Sequence, residues 1–238
     1  MAENNDSILT MENVQTYIGQ FHILDGINLS VRKNAATVML GRNGAGKTTT
    51  LETIIGLRPA SSGTIIFDGV DITHMKDFLI PRLGIGYAPE DREIFTTLTV
   101  EQNLRISCRN DNKFKQRLDM IVGLFPDMKK YLHLKAGVLS GGQAQMLSIS
   151  RALINENKLI LIDEPSKGLA PLIIEDLISK INEIKKTATI LMVEQNFHMA
   201  TAIGDYFFII EEGKTAAECT REELLNDVEF QRKHLGVS

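Results

Sequence analysis

The chain has 238 residues, of which 43% are hydrophobic and 24% charged, and a net charge of −4 at pH 7. This is the composition of an ordinary globular protein of one large or two small domains, and its negative balance disfavours non-specific nucleic-acid binding. No uncharged apolar run approaches the ~20 residues that span a bilayer, so work at a membrane would require docking to something that spans it.

The first seven residues, MAENNDS, are acidic and polar, lack the pattern of a signal peptide and are expected to form a frayed tail. Strand-like runs follow at Ile8–Val14, Ile27–Val31, Thr37–Leu40 and Thr64–Phe67, with Asp68-Gly69 as a hairpin turn after the last. Thr48–Ile55 reads as a helix behind a strand and a Gly-rich turn. Residues 100–135 change character, with few β-branched runs, many Lys and Arg, and helical spacing; Thr99 and Gln102 form a capping box that starts a helix. The α/β alternation resumes with strand Leu159–Ile162, then a helix whose apolar stripe is Ile173, Leu177, Ile181 and Ile184. Strands Ala188–Val193 and Tyr206–Ile210, a turn at Glu212-Gly213 and a capping box at Thr220 and Glu223 complete the chain. The expected fold is an α/β core with a β-rich edge and a helical insert over about residues 90–155, forming one domain. Cys108 and Cys219 lie far apart without metal-ligand spacing and read as small hydrophobes.

Residues 41–48, GRNGAGKT, match G-x-x-x-x-G-K-[ST] at every fixed position. Gly41, Gly44 and Gly46 let the backbone curl so that several N–H groups, including those near Asn43, Ala45 and Thr49, point at one anion. The following helix aims its positive end at the same place. Lys47 would reach the β- and γ-phosphates of a nucleoside triphosphate and Thr48 would offer its hydroxyl to Mg2+. Gly84-Ile85-Gly86 is also Gly-rich, but it lacks a third glycine and a helix of its own and reads as structural.

The run Leu159-Ile160-Leu161-Ile162 reads as a buried strand whose polar residues appear only at its end, Asp163 and Glu164. Parallel strands present ligand chemistry at their C-terminal edges. Asp163 would hold Mg2+, and Glu164 is the candidate base for an attacking water. Leu139–Gln143 spell LSGGQ. Ser140 can cap a helix running from Gly141 to about Ile154, leaving the first N–H groups at Gly141 and Gly142 bare, a second anion site by the same physics. Gln143 completes the motif.

A phosphate loop, LSGGQ and an acidic strand end, in this order, resemble the ATP-binding cassette ATPases, an α/β fold of P-loop type with an antiparallel β-rich edge and a helical subdomain. The resemblance covers about Leu9 to Gly236 and implies binding and hydrolysis of Mg-ATP. It also implies pairing with a second ATPase subunit, whose phosphate loop would face Ser140–Gln143. Tyr17 stands where family members carry an aromatic ring that stacks on adenine. Glu90 stands where most have a glutamine linking Mg2+ to the membrane partner, Ala170 where many have an aspartate at the dimer seam, and Gln195 where most have a histidine contacting the γ-phosphate. With the motifs 88-APEDREIF-95, 164-EPSKGLAP-171 and VEQN at 193–196, these departures resemble the smaller ATPase subunit of branched-chain amino acid importers, whose relatives serve urea or amides. That subgroup implies permease subunits, a solute-binding protein and a position on the cytoplasmic face of the membrane. Alternatives are a nucleotide-gated scaffold with weak hydrolysis, suggested by Gln195 and Ala170, and a non-transport cassette ATPase of DNA repair or translation. The second lacks support from any heptad stretch or second phosphate loop. Asn34-Ala35, in place of the usual Gly-Glu, has no functional account from sequence.

Overall fold

Alternation along two short strands explains the layering of the molecule. In β7 (Leu159–Asp163), Ile160 and Ile162 pack into one buried cluster while Leu159 and Leu161 pack into another; in β8 (Thr189–Val193), Ile190 and Met192 divide from Leu191 and Val193 in the same way. A strand apolar on both faces must be covered on both. The computed structural model, which describes residues 6–235, shows what covers them.

Six strands form the central sheet in the order β10-β9-β3-β8-β7-β6. They include β3 (Ala36–Leu40), β6 (Ile85–Ala88), β9 (Tyr206–Glu211) and β10 (Lys214–Thr220). All are parallel except β10, which pairs antiparallel with β9. One face packs on helices α2 (Val100–Ser107), α3 (Phe114–Leu124), α4 (Gly141–Leu153), α5 (Pro171–Lys185) and α6 (Phe197–Ile203), through residues such as Leu104, Ile121, Leu147, Leu177 and Met199. The other face packs on α1 (Lys47–Ile54) and on an antiparallel sheet of β1 (Ser7–Ile18), β2 (Phe21–Arg32), β4 (Ser62–Phe67) and β5 (Val70–Asp71), in the order β2-β1-β4-β5. Two short helices, α7 (Arg221–Asn226) and α8 (Val228–Leu235), end the described chain.

The capping boxes at Thr99, Ser140 and Thr220 all form, each with the side chain of the residue three positions on returning to the cap N–H. The turns at Asp68-Gly69 and Glu212-Gly213 put both residues at positive φ (46° and 80°; 46° and 76°), the hairpin geometry that matches strand twist. Several extents differ from expectation. Ser7 is not part of a tail but opens β1, and residues 1–5 of the expected tail lie outside the described residues. Both β1 and β2 run to 12 residues, because irregular registers at Met11/Val14 and Thr16/Tyr17 carry their pairing past polar positions that interrupt the apolar pattern. Strands β6 and β10 and helix α6 are too short or too mixed to read from periodicity alone. The segment 84–86 thus contributes two residues of β6, the edge strand of the six-stranded sheet, where a Cβ on Gly86 would lie 2.3 Å from the Ala152 carbonyl oxygen. Asn34 now has a physical account: it turns β2 into β3 at φ 57°, a left-handed conformation that asparagine tolerates after glycine. Its N–H donates to Thr189 Oγ1 at 3.0 Å.

Candidate active site

The parallel strands end level. Met39 and Asp163 both stand opposite Val193, and Ala88 stands opposite Ile162. Two further backbone bonds extend the alignment past the strands, Glu164 N–H to Val193 O at 2.9 Å and Glu194 N–H to Met39 O at 3.2 Å. One edge therefore gathers the Gly41–Gly46 loop after β3, Glu90 after β6, Asp163 and Glu164 at β7, and Glu194 and Gln195 after β8.

The loop's glycines are required by close approach as well as by φ. Gly46 sits at φ 102°, and a Cβ there would lie 2.8 Å from Leu24 Cδ2; one on Gly41 would lie 2.2 Å from the Ile210 carbonyl oxygen. Lys47 opens α1, and its buried ammonium donates to the carbonyls of Gly41 (2.9 Å) and Arg42 (3.1 Å), holding the loop in a ring. The same Nζ lies 3.7 Å from Glu164 Oε1. Burial lowers the Lys47 pKa, and the charges of Glu164, Asp163 and Glu194 oppose that shift. Beside it, Thr48 Oγ1 donates to Asp163 Oδ1 at 3.1 Å, and the Tyr87 hydroxyl reaches Oδ2 at 3.5 Å. Asp163 is fully buried, and that burial pushes its carboxyl up to about 7; the Thr48 bond opposes the rise, while Glu90, Glu164 and Glu52 add to it. Ala45 and Thr49 are buried behind the loop, and Asn43 and Gly44 face outward.

Glu164 stands at φ 42°, left-handed backbone that a residue with a Cβ adopts at a cost of order 1–3 kcal/mol. Continuing β7 in extended form would carry its side chain elsewhere; the kink sets it beside Lys47. The Gln195 amide nitrogen donates to Glu164 Oε1 and to Asn43 Oδ1, so one side chain joins the acidic strand end to the phosphate loop. Gln195 is itself held by its neighbour. The buried Glu194 carboxylate accepts from Ser166 Oγ (2.8 Å), Ser166 N–H (3.3 Å), Gln195 N–H (2.8 Å) and Asn196 N–H (2.9 Å), clamping the loops after β7 and β8 together. Burial raises its pKa, and these four bonds counter the rise. Glu194 was missed from sequence; its signal was a carboxylate following four buried apolar residues, Ile190–Val193, where only a ligand or a full set of donors makes it affordable.

Ser140–Gln143 lie at the N-terminus of α4, and among the described residues no hydrogen bond or ion pair joins them to the phosphate loop. Ser140 Oγ accepts from Gln143 N–H (3.3 Å), and Gln143 Oε1 accepts from Ser140 N–H (2.9 Å). Gly142 packs tightly, a Cβ there lying 2.9 Å from Ile173 Cγ2, whereas one on Gly141 meets only Leu169 at 4.0 Å. Glu90 pairs with Lys167, a partner that sequence did not suggest. Arg92, at φ 63°, donates to Gln145 Oε1 in α4 (2.8 Å) and to the Lys167 carbonyl (3.3 Å), linking the loop of Glu90 to the helix of Ser140. Tyr17 is 48% exposed at the end of β1 and stacks on His22 with ring centroids 4.2 Å apart. The neighbouring Thr16 hydroxyl meets that of Thr53 in α1 at 3.1 Å. Among the described residues no three His, Cys, Asp or Glu converge as a metal cage. The hard oxygens of Thr48 and Asp163 instead suit Mg2+, which takes one or two protein ligands and completes its shell with water and phosphate.

A glycine-rich loop closed around a buried lysine beside an acidic strand end is the arrangement that P-loop nucleoside triphosphatases share. The family profile described as ABC transporter matches residues 24–167. The high-affinity branched-chain amino acid transport ATP-binding protein BraG of Pseudomonas aeruginosa is 35% identical, the match covering 96% of this chain and all of BraG. The lipopolysaccharide export system ATP-binding protein LptB of Haemophilus influenzae is 32% identical over 97% of this chain and 98% of its own. Among solved structures, a nucleotide-free ATP-binding cassette from an ABC transporter superposes with a TM-score of 0.86 at 28% identity, covering 98% of this chain and 99% of that one. The chain belongs to the ABC transporter family, as one of its cassette ATPases, and its α/β fold is that of the family's nucleotide-binding cassette.

Proposed function

We propose that this subunit powers uptake of branched-chain or related amino acids by an ABC importer, hydrolysing Mg-ATP at the edge of β3, β6, β7 and β8. The observation that carries the mechanism is the joining of Lys47, Glu164, Gln195 and Asn43 at one point. In this reading the amides of Gly41–Thr49 and the Lys47 ammonium bind the phosphates and stabilise charge developing on the transferred group. Tyr17 stacks on the adenine. Thr48, Asp163 and Glu90 would hold Mg2+, which when bound would neutralise phosphate charge. Glu164 orients the water and accepts its proton, and Gln195 fixes the Glu164 carboxylate against the phosphate loop without carrying a proton itself. Ser140–Gln143 of one subunit close over the nucleotide of a second ATPase subunit. The segment from about residue 90 to 155 is the subdomain that docks on the permease at the cytoplasmic face, and a separate solute-binding protein supplies the cargo.

The solute assignment rests on the likeness to BraG and on the motifs at 88–95, 164–171 and 193–196. Lipopolysaccharide export is the second reading, favoured by the similarity to LptB. Deleting the gene and measuring leucine uptake by the source cells decides between them. Uptake should fall and be restored by the parent gene but not by a Glu164→Gln copy. Undiminished uptake of leucine, isoleucine and valine would remove the amino-acid assignment.

A further inference from the structure

The acidic edge of the sheet gathers Asp163, Glu164 and Glu90, and the charge of Glu90 acts on the buried Asp163. Among the described residues two ammonium groups pair with these carboxylates, Lys47 with Glu164 Oε1 at 3.7 Å and Lys167 with Glu90 Oε1. The negative charges of Glu164 and Asp91 also act on Lys167. The two lysines are held in opposite ways. Lys47 is buried at 4% exposure and donates to the carbonyls of Gly41 and Arg42 as well. The Lys167 side chain is 63% exposed, and the bond to Glu90 is its ammonium's only hydrogen bond among the described residues. The backbone beneath Lys167 is nevertheless fixed. Its N–H donates to the Glu164 carbonyl (3.1 Å), its own carbonyl accepts from Arg92 (3.3 Å), and the preceding Ser166 hydroxyl donates to Glu194 (2.8 Å). The ammonium can therefore leave Glu90 by side-chain rotation into water, with no rearrangement of either loop.

We propose that Lys167 is a resident counter-ion of the metal site, whose ammonium occupies Glu90 in the nucleotide-free chain and competes with Mg2+ for that carboxylate. The inference rests on the reading of Glu90 as a Mg2+ ligand. A bound divalent cation is the largest local charge in such a site, and it draws on the same negative groups that hold Lys167. Of the two lysines, the exposed one is displaced. Lys167 regains water on leaving, whereas releasing Lys47 would strand a buried ammonium. Lys167 is thus a positioning residue that acts through Glu90. An exposed ion pair is weak, so the competition tunes the metal's contribution to nucleotide binding by about two- to fivefold and does not block it.

The test measures binding of a non-hydrolysable ATP analogue, adenylyl imidodiphosphate, to the full chain by calorimetry, once with a chelator and once with saturating Mg2+. The ratio of the two affinities is the metal's contribution, and comparing it between variants cancels the affinity of the free analogue for Mg2+. Lys167→Gln should raise the ratio about two- to fivefold over the parent. Lys167→Arg, which keeps the charge, should leave it at the parent value. Affinity in the chelator should be the same in all three, because the phosphate loop and Lys47 are untouched. In a Glu90→Ala background, adding Lys167→Gln should change nothing, since the group through which it acts is gone. A Lys167→Gln ratio at or below the parent's, or an equal gain in the Glu90→Ala background, would overturn the counter-ion role. Glu90→Ala alone tests the underlying reading separately: it should lower the ratio, and an unaltered ratio there would remove Glu90 from the metal site and this inference with it.

Discussion

Gln195→Ala isolates what the amide contributes to the active site. The variant removes two hydrogen bonds at once, to Glu164 Oε1 and to Asn43 Oδ1, while Glu194 still clamps the backbone at residues 195 and 196. The loop should therefore keep its place, and the loss should be local. A hydrogen bond to a charged carboxylate contributes about 1.5–3 kcal/mol. If that full amount supports the Glu164 orientation in the transition state, turnover falls roughly ten- to over a hundred-fold. ATP affinity should change little, because Lys47 and the loop amides are untouched. Gln195→His should retain turnover and gain a pH dependence near 6.5, the ordinary histidine pKa. The assay is phosphate release across pH 5.5–8.5 for the assembled transporter, with ATP affinity measured on the same preparations. A Gln195→Ala protein that hydrolyses ATP at the parent rate would refute the assignment and leave Gln195 a structural tether.

Lys47→Ala should weaken ATP binding and loosen the loop, since Nζ also bridges the Gly41 and Arg42 carbonyls; Glu164→Gln should bind ATP as the parent does but lose turnover, and a Glu164→Gln variant at parent speed would exclude Glu164 as the base. Gly141→Asp has room for its side chain, because a Cβ there meets only Leu169 at 4.0 Å. It should fold and bind ATP alone, yet abolish activity of the complex by placing a carboxylate against the partner's phosphate; an equal loss of affinity in the isolated chain would refute the two-subunit mechanism. The buried Asp163 makes stability depend on pH in the absence of metal. Its carboxyl rises from 3.8 unfolded to about 7 folded, so its contribution is fully present below pH 3.8 and lost as the pH climbs to 7, a change of about 4 kcal/mol. Asp163→Asn should therefore raise the thermal midpoint of the nucleotide-free, metal-free chain at pH 8 and alter it much less near pH 4.5; equal effects at both would show that the carboxyl is not held neutral.

The family and the ATP-hydrolysing chemistry were legible in the sequence because they rest on contiguous residues. A phosphate loop needs its glycines and lysine at fixed spacing, and a capping box closes over three residues, as at Ser140 and Gln143. Such features obey local sterics and local hydrogen bonding. Chain order also pointed to the edge of the sheet, since parallel strands deliver their ends to one side. Tertiary structure alone decided how those ends meet. That Gln195 joins Glu164 to Asn43, that Glu194 clamps Ser166, and that Arg92 bonds Gln145 depend on register between strands or on side chains far apart in the chain. Periodicity carries no information on such pairings, because every apolar strand buried on both faces looks alike. Nor could sequence predict the Asp163 pKa: the same carboxylate in water titrates near 3.8, and complete burial, aided by the charges of Glu90, Glu164 and Glu52, lifts it to about 7.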